Sequence, residues 1–226
     1  MPISYNGQSS TNAILGAAGS VTFAHDASTE SNRALIVGLA IRTAASTGTS
    51  VTYAGVDMTR IAAANKGIVA RNEMWYLYNP ATGTNNVVAN ISGGTKIVAG
   101  AMSFYDVDTD TAPTATTASA TSITPKISRT KTADDSYIVG TLAYRNSSTT
   151  YTIVSGTQTY SNSSSSSTAG ANTQGRGMYN TAGVSGSSVL LSGTFSTSRE
   201  WVHSATEIFA YNPPSVNQGH VIKAFK

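Results

Sequence analysis

The chain has no cysteine. Disulfide scaffolds and thiolate metal sites are excluded, so stability must come from burial and hydrogen bonding alone. Charge is also scarce: charged residues make up 11% of the 226, against roughly 25% in an average globular domain. The net charge is +3 and the pI about 9.1. The basic residues form no stripe and do not interleave with aromatics, so no nucleic-acid partner is expected. No run approaches the roughly 18 apolar residues of a membrane-spanning helix, and no membrane partner is expected. Residues 1–7 have neither a basic nor an apolar segment of the kind that opens a secretion signal, which points to synthesis in a cytoplasm. Histidine is limited to His25, His203 and His220, none at metal-ligand spacing.

Ser and Thr fill the space left by charge, at about 28% of the chain. Together with the shortage of Glu and Lys, this favours strands and turns over helices. The chain also repeats itself. Residues 33–42 (RALIVGLAIR) are echoed by 135–145 (DSYIVGTLAYR), 50–55 by 150–156, 74–76 by 177–179, 86–93 by 188–193, and 96–107 by 200–212. Five strand-like segments thus recur in order about 100 residues later. Residues 33–42 are apolar almost throughout, as in a strand buried on both faces. Residues 51–53 and 58–64 read as a hairpin about Ala54-Gly55, with Gly55 supplying a positive φ. The aromatic strand 73–78 stops at Asn79-Pro80. Gly100 and Ala101 leave room for close packing. Residues 109–124 read as a connector, and 161–171 as a Ser-rich surface loop.

The runs Asn32-Arg33-Ala34-Leu35-Ile36-Val37-Gly38, Val51-Thr52-Tyr53-Ala54-Gly55-Val56-Asp57-Met58-Thr59 and Glu73-Met74-Trp75-Tyr76-Leu77-Tyr78-Asn79-Pro80-Ala81-Thr82-Gly83-Thr84 together resemble a β-sandwich module. That module recurs in phage structural proteins and in bacterial and archaeal surface proteins. Residues 98–104 and 201–205 continue the likeness, which spans roughly 20–211. The resemblance implies a jelly-roll-like fold and a role in binding or assembly. It carries over no catalytic residue.

The expected fold is all-β: a single antiparallel jelly-roll or Greek-key sandwich of about ten strands, built from two five-strand halves, each covering the other's apolar face. Residues 1–19 would be an N-terminal arm or short edge segment, 20–212 the sandwich (halves 20–108 and 125–212), and 213–226 a C-terminal tail. Two independent small domains are the alternative.

Several residue groups are candidates for chemistry. Asp106, Asp108 and Asp110 alternate and offer oxygen ligands for Ca²⁺, but Thr111 and Thr117 stand where a Ca²⁺ loop needs Gly and Glu. Glu73, Glu200 and Glu207 are the carboxylates in strand-like runs, read as partners for Arg71 and Arg199 rather than as a hydrolytic pair. Trp75, Tyr76 and Tyr78 offer a glycan platform, with Tyr76 and Tyr78 on one face of the strand and Trp75 on the other. No strained nucleophile turn supports a catalytic triad. The expectation is a non-enzymatic virion protein without cofactor. It would be a capsid decoration (cement) protein bound to the major capsid protein or other virion subunits, and a homo-oligomer, with a trimer favoured. The alternative is a phage tail or fibre component, or a cell-surface carbohydrate-binding adhesion module.

Overall fold

The computed structural model describes residues 1–68, 70–146, 149–164 and 172–213. These are all-β and antiparallel throughout. The first half of the chain forms β1 (Ser4–Leu15), β2 (Gly19–Asp26), β3 (Ala34–Ile41), β4 (Gly48–Tyr53), β5 (Val56–Asp57), β6 (Thr59–Lys66), β7 (Ala70–Tyr78), β8 (Thr84–Ile91) and β9 (Thr95–Tyr105). The second half forms β10 (Ala115–Ser122), β11 (Lys126–Thr130), β12 (Tyr137–Asn146), β13 (Tyr151–Ser155), β14 (Thr157–Ser164), β15 (Asn172–Asn180), β16 (Ser188–Phe195) and β17 (Arg199–Ile208).

These strands make four sheets rather than the two of a ten-strand sandwich. The first half builds β1-β9-β3-β7-β6 and β2-β8-β4-β5; the second builds β10-β17-β12-β15-β14 and β11-β16-β13. Strand for strand, the second pair of sheets repeats the first, except that β5 has no counterpart. The repeat is therefore structural, but each half carries its own second sheet. Leu35, Val37, Leu39 and Ile41 pack with Val51, Tyr53, Val87 and Ala89 to fill the first half. Ile138, Leu142 and Tyr144 pack with Val189, Leu191 and Phe195 to fill the second. The two five-stranded sheets then meet across a third apolar layer, which includes Ile36, Met74, Met102, Phe104, Val139, Tyr160 and Ile208.

This stacking explains the unbroken apolar run of β3. Its odd-numbered residues face the small sheet and Ala34 and Ile36 face the other half, so all eight are buried. One buried polar group also crosses the seam. Asn72 Nδ2 donates to Thr141 O (2.5 Å) and Val202 O (3.2 Å), and its Oδ1 accepts from Thr141 Oγ1 (3.0 Å).

Of the two readings of residues 1–19, arm or short edge segment, the edge holds and is longer than expected: residues 4–15 form a twelve-residue edge strand paired along β9. The connector 109–124 contains β10, the matching edge of the second half. Both are Ser/Thr/Ala-rich, because an edge strand half in water needs no apolar stripe. The hairpin at Ala54-Gly55 exists, with φ of 50° and 81°. Its return strand, however, pairs with β4 only through Val56 and Asp57, after which Thr59–Lys66 joins the other sheet beside β7. The end of β7 falls at Tyr78, before Asn79-Pro80. Of the Ser-rich segment, 161–164 completes β14, and the rest lies outside the described residues, as does the tail from 214.

Candidate functional site

Alternation along β7 separates the aromatic trio. Trp75 is 6% exposed and packs in the first half's core, with Arg60 over its ring at 5.4 Å and its Nε1 donating to Glu73 Oε2. Tyr76 and Tyr78 lie on the opposite face, half-buried at the margin of the seam, edge to face at 5.1 Å. Tyr78 donates to Thr111 O. Three rings that do not share a face cannot stack on one sugar.

The carboxylates are likewise dispersed. Glu73 is fully buried, bonded by Arg71 Nε (2.5 Å), Thr47 Oγ1 (2.7 Å) and the Gly48 N–H (3.2 Å), so Arg71 is its partner as its neighbourhood in sequence suggested. Glu200 pairs with Arg145 at 3.8 Å, whereas Arg199 Nε donates to Thr149 Oγ1. Glu207 lies at the other end of its strand, where it accepts from the N–H groups of Thr132 and Ala133 and the hydroxyls of Thr132 and Ser136. Burial raises its pKa, but these hydrogen bonds outweigh that and hold it below the usual value. Glu207→Gln is expected to cost about 2 kcal/mol at pH 7 in urea denaturation, because an ionised acceptor is exchanged for an amide that must present its own donors. The lost increment shrinks as the pH falls through the carboxylate range, where the native Glu207 itself is protonated.

Asp106, Asp108 and Asp110 do not converge. Asp106 takes a positive φ of 58° as β9 leaves the sheet, and its carbonyl accepts from the Tyr211 N–H. Asp108 caps a turn, accepting from the Asp110 N–H (2.9 Å) and Thr111 Oγ1 (2.8 Å). Among the described residues, no three His, Cys, Asp or Glu side chains are gathered to hold a metal ion.

An open cleft of about 460 Å³ lies beside Asp108, lined also by Thr111, Asp134, Asp135, Phe209 and Asn212. Beneath it lies Lys131, 1% exposed, its Nζ donating to Asp134 O (2.7 Å), Gly183 O (2.9 Å) and Thr181 O (3.4 Å). That ammonium ties loop 131–136 to loop 181–183. Nothing in the spacing of Lys131 marked it, since its acceptors are backbone carbonyls that any sequence supplies. The cleft presents the exposed carboxylates of Asp134 and Asp135 to solvent.

His25 and His203 are interior groups. Burial lowers His25 to about 4, partly opposed by Asp26, and its Nδ1 lies 3.1 Å from Ser9 Oγ. Burial alone lowers His203 to about 3. Neither reaches a cleft. His220 lies outside the described residues. No protein-family model, curated protein or solved structure matches this chain.

Proposed function

We propose that the chain is a non-enzymatic structural subunit of a virion, a decoration protein that stabilises a phage capsid through protein–protein contacts with the major capsid protein and with copies of itself. The observation that carries this reading is the make-up of the outer strands of the two central sheets. Of their four outer strands, β1, β10 and β14 are eight to twelve residues long and contain no charged residue, while β6 carries Arg60 and Lys66. A protein that must stay alone guards such edges with Lys, Pro or inward charges. Long, uncharged, Ser/Thr-rich edges instead offer backbone donors and acceptors to a neighbour. The stacked sheets behind them supply a rigid platform that does not need to rearrange on docking.

The resemblance of residues 20–211 to modules of phage structural proteins directs the reading to a virion. A tail or fibre position keeps the same logic with a different neighbour. The carbohydrate-binding alternative draws less support, since its strongest stacking ring, Trp75, is in the core. The test is quantitative mass spectrometry of particles purified from cells that carry this gene. The chain should be present at a fixed, integral ratio to the major capsid protein, and particles lacking it should lose their genome at lower temperature. A chain found only in the unassembled fraction would sink the proposal.

A further inference from the structure

We infer that copies of this chain associate head to tail, the basic end of one molecule seated on the acidic end of the next. The inference rests on the distribution of charge along the strands and stands whether or not the assembly belongs to a virion.

Charge is sparse in this chain but strongly sorted. Strand β3 is entered from the loop carrying Asp26 and Glu30 and leaves the sheet at Arg42; β12 is entered from Asp134 and Asp135 and leaves at Arg145. The central neighbours run the opposite way with the opposite order: β9 starts at Lys96 and leaves into Asp106, Asp108 and Asp110. Each repeat therefore has an acidic end and a basic end. The two repeats are stacked so that these ends coincide rather than cancel. At the acidic end, Asp108 N donates to Phe209 O and Tyr211 N to Asp106 O, tying the foot of β9 to the foot of β17. At the other end, Arg145 pairs with Glu200, and burial, joined by the like charge of Arg145 and opposed by Glu200, lowers the pKa of Arg42. Lys66 closes β6 at this same end.

Opposing charges are few and hold partners within the fold: Arg129 donates to Thr114 Oγ1 and Glu200 pairs with Arg145. Lys131 is buried under three carbonyls, and Arg33 donates to Pro80 O and Glu30 O. Glu73 is buried beside Arg71. Asp26, Glu30, Asp110, Asp134 and Asp135 remain exposed at the acidic pole. The poles are also shaped. The acidic end holds a cleft of about 460 Å³, and the basic end two recesses, one of about 450 Å³ with Arg42 and Lys96, one of about 350 Å³ where Arg145 and Arg199 outnumber Glu200. A second copy is the occupant that presents the matching sign at each pole. Such a contact is heterologous, so it propagates as a filament or closes as a ring. It should weaken with salt, because exposed charges are screened beyond about 8 Å at physiological ionic strength.

Charge reversal at one pole at a time tests the inference. The variants are Asp110→Lys with Asp135→Lys, which cancels most of the excess charge of the acidic pole, and Lys66→Glu with Lys96→Glu, which does the same at the basic pole. Sedimentation velocity of the full chain at low salt should show concentration-dependent association for the parent. Each variant alone should associate at least about ten-fold more weakly, and an equimolar mixture of the two should recover association. Recovery on mixing separates pole matching from misfolding, which mixing cannot repair. A parent that stays monomeric at low salt, a variant that associates as the parent does, or a mixture that fails to co-assemble would each overturn the inference.

Discussion

Replacing Tyr160 by Ala should lower the stability of the protein by about 3–5 kcal/mol and weaken the coupling between its halves. Tyr160 belongs to β14, at a bulge between Gln158 and Ser161, and is 3% exposed in the layer between the two central sheets. Its ring lies on a floor of glycines from three strands. A Cβ built on Gly38 of β3 would sit 2.4 Å from the Tyr160 hydroxyl oxygen, one on Gly100 of β9 2.4 Å from the ring, and one on Gly177 of β15 also 2.4 Å from the ring. No side chain fits at those positions while the tyrosine is present. The site is thus a large ring keyed into a space that three missing side chains create, and removal of the ring leaves a cavity that strands cannot close.

The same geometry predicts non-additivity. Gly100→Ala alone should cost about 1–3 kcal/mol through overpacking, yet almost nothing in the Tyr160→Ala background, a coupling of at least about 1 kcal/mol in urea denaturation. Additive costs would show that the ring and the glycine do not oppose each other. Because each half also has a core of its own, the bulkier Gly38→Val is expected to give a broader or more clearly split calorimetric transition than the parent.

Much of this seam was present in the sequence as a pattern without a partner. The Ile-Val-Gly of β3 and of β12 announced a repeat, and the unbroken apolar run around Gly38 announced burial on both faces. Neither said that the two halves of the repeat use the glycine differently. Gly38 receives Tyr160, whereas a Cβ on its counterpart Gly140 would meet Leu191 and His203 inside the second half. The five recurring segments were read as one sheet because period-two alternation tells which residues share a face, not which of two sheets a strand joins. Here β3, β7 and β9 stay together while β4 and β8 go to the smaller sheet. The edge β10 escaped, and the full length of β1 with it, because alternation fades when one face of a strand is polar and the other is only half covered. The sorted charge was legible in principle: Arg42 and Arg145 close equivalent strands. Its meaning needed the stacking, since antiparallel repeats would have cancelled the same charges.

Acid should destabilise the protein well above the carboxylate range, and His203→Leu should remove a large share of that effect. His203 lies on β17 opposite Leu142, 0% exposed, with no hydrogen-bond partner for either ring nitrogen among the described residues. Charging the ring there has nothing to offset the loss of water, which is why its pKa falls to about 3. In the unfolded chain the same imidazole titrates near 6.5. Between those values the unfolded chain binds a proton that the folded chain refuses. Stability is therefore flat above about pH 6.5 and declines as the pH drops below it, by about 1.4 kcal/mol per pH unit for this group. His25, lowered to about 4 by burial, adds a decline of the same sign over a narrower window. From pH 7 to pH 4 the pair is expected to cost roughly 6 kcal/mol, a large part of the 5–15 kcal/mol that holds a typical domain folded. Leu at position 203 is close to the imidazole in size, leaves no unpaired nitrogen in the core, and should hold or raise stability at pH 7. Urea denaturation at intervals from pH 7 to pH 4 reads the difference directly. The curves for parent and His203→Leu should diverge by about 3 kcal/mol by pH 4, and curves that stay parallel would place the acid sensitivity elsewhere.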